Sequence, residues 1–142
     1  MSTLARLVAV ACVLAISGCG FVDDETLVGP YKLVAVDVRE DMSLCWQSLD
    51  GKVCEGIVGP TLFAAGFNDD YVVAAVHPSV FPKPPNKSVT QYYYVIRDRR
   101  NEGKDFGPPP KNVKGPFNAR DYATERARLH LPDLVHVFDD LK

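Results

Sequence analysis

Three histidines, four cysteines and three Asp-Asp pairs are the residues of this chain whose types lend themselves to chemistry. A nucleophile needs a base within hydrogen-bond reach, and His77, His130 and His136 stand in no Ser, Cys or Asp signature; Gly-x-Ser-x-Gly does not occur. His130 and His136 are six apart across Pro132, so they do not share a helix face as a His-x₃-His metal pair would. The pairs Asp23-Asp24, Asp69-Asp70 and Asp139-Asp140 lack the alternating oxygens and turn glycine of a calcium loop and read as solvated turns. His77 precedes Pro78 at a strand end, the place of a surface histidine that meets a partner. The sequence therefore predicts no catalytic residue, no metal site and no cofactor.

The N-terminus reads as an address. Arg6 is followed by ten apolar residues, Leu7 to Ile16, and then by small residues, the layout of a secretory signal. A spanning helix needs roughly 20 apolar residues, so this run is too short to remain as one. The closing Ile16-Ser17-Gly18-Cys19 resembles the lipobox of bacterial lipoproteins. That resemblance implies cleavage between Gly18 and Cys19, a thioether-linked diacylglycerol on Cys19, and acylation, with palmitate or a similar chain, of the new amino group. Two or three chains, at about 0.8 kcal/mol per buried CH₂, make a stable membrane anchor where one does not. Gly20 stands where the inner-membrane retention signal would have aspartate, which implies the outer membrane, periplasmic face.

With Cys12 discarded in the signal and Cys19 lipidated, Cys45 and Cys54 remain as an even pair in an oxidising compartment, and a disulfide is expected. Closing that loop stabilises the fold by roughly 2–3 kcal/mol on the chain-entropy model. Two signals compete over its register. A type I′ turn at Asp50-Gly51 sets Cys54 opposite Gln47, whereas direct opposition of the cysteines needs a loop of Ser48 to Gly51.

Composition bounds the remainder. Sixteen basic and 18 acidic side chains give a net charge of −2, which supplies no field for nucleic acid. An apolar content of 46% is too high for intrinsic disorder. Removing residues 1–18 leaves 124 with a net charge of −3, enough for one core that buries about two thirds of the unfolded surface. Residues 19–29, with Asp23, Asp24 and Glu25, read as a lipidated acidic tether, and 30–142 as a single β-rich domain.

The elements that must position these residues follow from periodicity and turn chemistry. Eight of eleven prolines fall at 78–85 and 108–116 and mark two loops. Strand-length runs precede, separate and follow them: 31–39, 42–48, 52–58, 61–67, 71–77 and 91–97. Asn68-Asp69-Asp70 turns one hairpin. The arm Tyr71 to Val76 is apolar on both faces and fits a central strand covered by a helix or a second sheet. Asn118 caps a helix over 119–130, with Asp121 three residues on, and Leu131-Pro132 stops it. The tail 133–142 fits a strand or a helical turn equally. The fold class is α+β, an antiparallel meander of about six strands with one C-terminal helix packed on it.

Tyr92 to Tyr94 must split their rings between two faces, one of them core. The outward tyrosines, Tyr92 and Tyr94, with Trp46 and His77, form the expected partner surface. Arg97, Arg99, Arg100 and Lys104 are interrupted by Asp98, Glu102 and Asp105 and read as a solvated loop. The segment Val58 to Pro78, the Gln91-Tyr-Tyr-Tyr-Val95 strand and Gly115-Pro-Phe-Asn118 before a charged helix resemble a group of small uncharacterised bacterial lipoproteins. This resemblance implies a location and a fold but no activity. The expectation is a lipid-anchored envelope domain, not an enzyme, that binds or supports an envelope protein. Alternatives are an inhibitor or immunity-type protein acting through the Pro-rich loops, and an envelope hydrolase.

Overall fold

The structure, a computed structural model, describes residues 20–102 and 109–142. The signal segment and Cys19 lie outside the described residues. The fold is α+β, with nine strands among the described residues, arranged as two antiparallel sheets and one helix.

The first sheet is a four-stranded meander of β1 (Asp23–Val28), β2 (Tyr31–Ala35), β3 (Ser43–Gln47) and β4 (Cys54–Val58), in that order. The second has the order β8-β7-β6-β5-β9, from β5 (Leu62–Phe67), β6 (Tyr71–Val76), β7 (Gln91–Ile96), β8 (Val113–Phe117) and β9 (His136–Val137). Helix α1 (Ala119–Leu129) follows β8. The meander thus occurs twice, and the last strand returns to the free edge of β5, where Ala64 faces Val137.

Facing sides of the two sheets share one core, in which Tyr31, Leu33, Met42 and Leu44 meet Leu62, Val72 and Val95, all fully buried. Each such aliphatic side chain removed from water stabilises the fold by about 1.5–3 kcal/mol. On the other side of the second sheet Val73 and Tyr94 pack against Tyr122 of α1 and Leu131. Strand β6 is therefore covered by a sheet on one face and by the helix on the other, which is why its sequence is apolar throughout.

Three strands depart from the expected six. Asp23–Val28, expected in the tether, is an edge strand whose alternating exposure puts Asp24 and Thr26 outward and leaves Leu27 buried. Its acidic start hides the signal because the outward face of an edge strand carries charge freely. Strand β8 contains Gly115-Pro116, which demotes a strand reading but is tolerated at the edge it occupies. The tail resolves to the two-residue β9. Strand β2 ends at Ala35, short of the expected run 31–39, and Val36 and Val38 beyond it are exposed.

The Cys45–Cys54 disulfide is present, with 5.5 Å between the Cα atoms. Gln47 faces Cys54 and Cys45 faces Gly56, so the bond is diagonal across the ladder. The register is that of the Asp-Gly count, yet the turn is not type I′. Gly51 has φ +70°, Asp50 does not have a positive φ, and Gly51 N donates to Ser48 O at 2.9 Å. Ser48 N donates to Val53 O at 2.7 Å, so the loop is the four residues Leu49 to Lys52, entered through a type I turn over Ser48 to Gly51 with only the glycine in the left-handed region. Asp50 holds it, accepting from Ser48 Oγ at 2.6 Å and Lys52 N at 3.0 Å.

Candidate functional site

A concavity of about 800 Å³ runs between α1 and the segment that follows it. Helix α1 exists because Asn118 accepts from Asp121 N at 2.8 Å, the expected cap. It ends because His130 adopts φ +54°, and both His130 N and Leu131 N donate to Arg126 O. The left-handed cap turns 131–134 back alongside the helix, and Asn68 Nδ2 donates to His130 O at 3.2 Å to fix that turn to the β5–β6 hairpin.

The groove floor is Tyr92, which stacks on Tyr122 with ring centroids 4.6 Å apart and planes 10° from parallel. Ala123 and Ala127 form one wall, and their methyl groups leave space a longer side chain would fill. Leu134 lies opposite, and an exposed Arg126–Asp133 ion pair spans the rim. Burial pushes the Tyr122 phenol up to about 12. Nearby, Tyr94 Oη donates to Glu125 Oε2 at 2.9 Å, and Arg128 followed by Tyr94 holds the Glu125 carboxyl below its usual range. The site offers aromatic and methyl surface with charge at its rim, the make-up of a binding groove.

Of the four residues expected at a partner surface, only half-buried Tyr92 lines this groove. The other three, expected at the surface, are buried. Tyr94 is buried under α1, its ring stacked on Phe117 and edge-on to Tyr71. Trp46 is buried in the inter-sheet core, edge-on to Tyr31 at 5.0 Å. Each faces inward because the helix or the second sheet covers the face that a single open sheet would have shown to solvent.

His77 is also inside, with 4% of its surface exposed. Its ring stacks on Phe63 at 4.3 Å, and Nδ1 lies 2.8 Å from Val89 O. A carbonyl only accepts, so Nδ1 carries the proton. The neighbouring Thr61 hydroxyl bonds to the His77 carbonyl, not to the imidazole, so no hydroxyl–imidazole pair forms. His136 Nδ1 lies 3.2 Å from Glu25 Oε1, while His130 sits at the helix end. Among the described residues no three His, Cys, Asp or Glu side chains converge to hold a metal.

Sequence reasoning missed a buried ion pair. Arg97 and Glu102, expected in a solvated loop, have side chains only 5% and 4% exposed. Arg97 Nε lies 3.0 Å from Glu102 Oε1, Nη2 lies 2.6 Å from Oε2, and Nη1 donates to Asn68 O at 2.6 Å. The Glu102 hydrogen bond holds the guanidinium pKa up. Buried Tyr31 sits beside the pair, its phenol raised by burial and then by the Glu102 charge. The i, i+5 spacing was the available signal, but alternating charges around it resemble any solvated turn.

No protein-family model, curated protein or solved structure matches this chain.

Proposed function

We propose that this chain is a lipid-anchored cell-envelope protein whose folded domain is a non-enzymatic binding module. Acyl chains on Cys19 hold it to the periplasmic face of the outer membrane, and a protein partner of the envelope occupies the groove beside α1. The groove carries the reading: an open trough of about 800 Å³ with an aromatic floor, methyl walls and an ion pair at the rim suits an apolar side chain of a partner. The lipobox-like Ile16 to Cys19 supports the anchor. Among the described residues no helix is long and apolar enough to cross a membrane.

A photo-crosslinking amino acid at Ala127, in cells, tests the groove. One discrete protein adduct is expected, and Ala123→Trp, which fills the trough, is expected to abolish it. Absence of any adduct, or an adduct indifferent to Ala123→Trp, overturns the groove as partner site. An enzyme captured in equal stoichiometry and inhibited by this chain would replace the support role by the inhibitor reading.

A further inference from the structure

The loop from Pro78 to Thr90 leaves the end of β6 and returns at the start of β7. It is internally fastened: Lys83 N donates to Val80 O at 2.8 Å, Asn86 N to Pro78 O at 2.9 Å, and Asn86 Oδ1 accepts from Ser88 N and Oγ. This ordered loop nevertheless displays its most apolar residues. Phe81 is 94% exposed and Val80 73%, the two highest values among the large apolar side chains described. A chain that only needed to connect two strands would gain nothing from an ordered aromatic in water.

The antiparallel registers place this loop at one end of the molecule, with the start of β1, the end of β2 and the start of β5. Side chains tie that end together. Arg39 bonds to both Asp23 and Asp140, Lys87 Nζ donates to Asp140 O at 3.2 Å, and Leu62 N donates to Met42 O at 2.9 Å. This is also the end where the chain arrives from Cys19. Three residues lie between Cys19 and Asp23, and the four Cα–Cα steps reach about 14 Å when extended. Two of the residues between, Phe21 and Val22, are apolar and more than half exposed.

We infer that the Val80–Phe81 tip, with Phe21 and Val22, lies in the headgroup region of the bilayer that holds the acyl chains, so that the domain stands on this end. The inference rests on the lipid-anchor reading above. Charge favours lipid as the occupant: the charged residues of the loop are Lys83 and Lys87, no acidic residue occurs from Tyr71 to Arg97, and the neighbouring Asp140 carboxylate is paired with Arg39. Apolar side chains such as phenylalanine beside lysines are the composition that settles at a membrane interface. Asp37, Glu40 and Asp41 keep the rest of this end acidic, which confines contact to the loop tip and the incoming chain.

The test uses the full lipidated chain, purified from membranes and reconstituted in phosphatidylethanolamine–phosphatidylglycerol vesicles, with Phe81→Trp as reporter and Leu49→Trp, at the opposite end, as control. Both positions are exposed, so neither variant disturbs the core. With the signal of wild type, whose one tryptophan is buried, subtracted, the emission added by Phe81→Trp is expected to lie to the blue of a tryptophan in water and to lose at least half of its intensity when brominated-acyl lipids are included. Leu49→Trp is expected to do neither. Emission from Phe81→Trp that stays water-like and unquenched, on a chain whose mass carries the acyl groups, overturns this orientation alone. A chain from membranes without acyl mass overturns the anchor reading and this inference with it.

Discussion

Two loops flank β7, and they invert the usual placement of polar and apolar groups. The loop before it holds Phe81 almost wholly in water, while the turn after it holds Arg97 and Glu102 almost wholly out of water. The costs of these inversions differ. An exposed aromatic forfeits burial it would have gained, whereas each buried charge loses several kcal/mol of hydration unless its partner is in place. The Arg97–Glu102 turn therefore meets that cost with a two-point ion pair, a backbone carbonyl and the cover of Tyr31. It is architecture, joining the β5–β6 hairpin to the end of β7. The Phe81 loop holds nothing in the core by its tip, and its exposure is available for an external surface.

The sharpest way to break this comparison is to remove one charge. Glu102→Ala leaves Arg97 buried without its carboxylate, and a loss of about 3–5 kcal/mol is expected in urea unfolding. The double change Arg97→Met with Glu102→Leu is expected to recover most of it, since neither charge then remains. A loss below about 1 kcal/mol in the single variant would mean that the pair is solvated after all.

The disulfide belongs to the same end of the molecule. Replacing Cys45 and Cys54 together by Ser is expected to cost about 2–3 kcal/mol through the freed loop, measured by the same unfolding curves. Gly66→Ala probes how closely the tail crosses the second sheet there, because a Cβ at Gly66 overlaps the Asp133 carbonyl. A loss of about 1–3 kcal/mol is expected from the forced shift of the 133–134 segment.

Alkaline pH gives a smaller readout of the same packing. Tyr122 is raised by burial from 10.0 to about 12, so the folded chain keeps a proton that the unfolded chain gives up above about pH 10. Its contribution is complete below that pH and declines as pH rises through about 12. The unfolding midpoint is expected to fall across that window, and to fall less in Tyr122→Phe; an equal fall would remove Tyr122 as a cause. Phe81→Ser, the counterpart of Glu102→Ala, is expected to change stability by less than about 0.5 kcal/mol.

Much of the fold was legible where local chemistry and tertiary packing agree. The hairpin at Asn68 to Asp70, the Asn118 cap and the doubly apolar β6 all appear as their sequences indicate. What escaped reading depends on a second layer. Trp46 and Tyr94 lie inward because a sheet or helix covers them, His77 because it stacks on Phe63 and bonds to the loop at Val89, and no periodicity within a strand reveals what covers its other face. The Arg97–Glu102 pair escaped for the same reason: charge type does not say which side of a turn faces Tyr31. The groove was half legible through Tyr92; its wall of Ala123 and Ala127 is open because the segment after the helix turns back beside it, which the helix sequence does not encode.

The proposed membrane contact depends first on residue 19. Intact-mass and peptide mass spectrometry of the chain isolated from bacterial membranes measures it directly. The predicted result is a mature N-terminus at Cys19 carrying a diacylglyceryl thioether and an amide-linked acyl chain, absent in Cys19→Ser. An N-terminus elsewhere, or a membrane-derived chain with Cys19 unmodified, would contradict it.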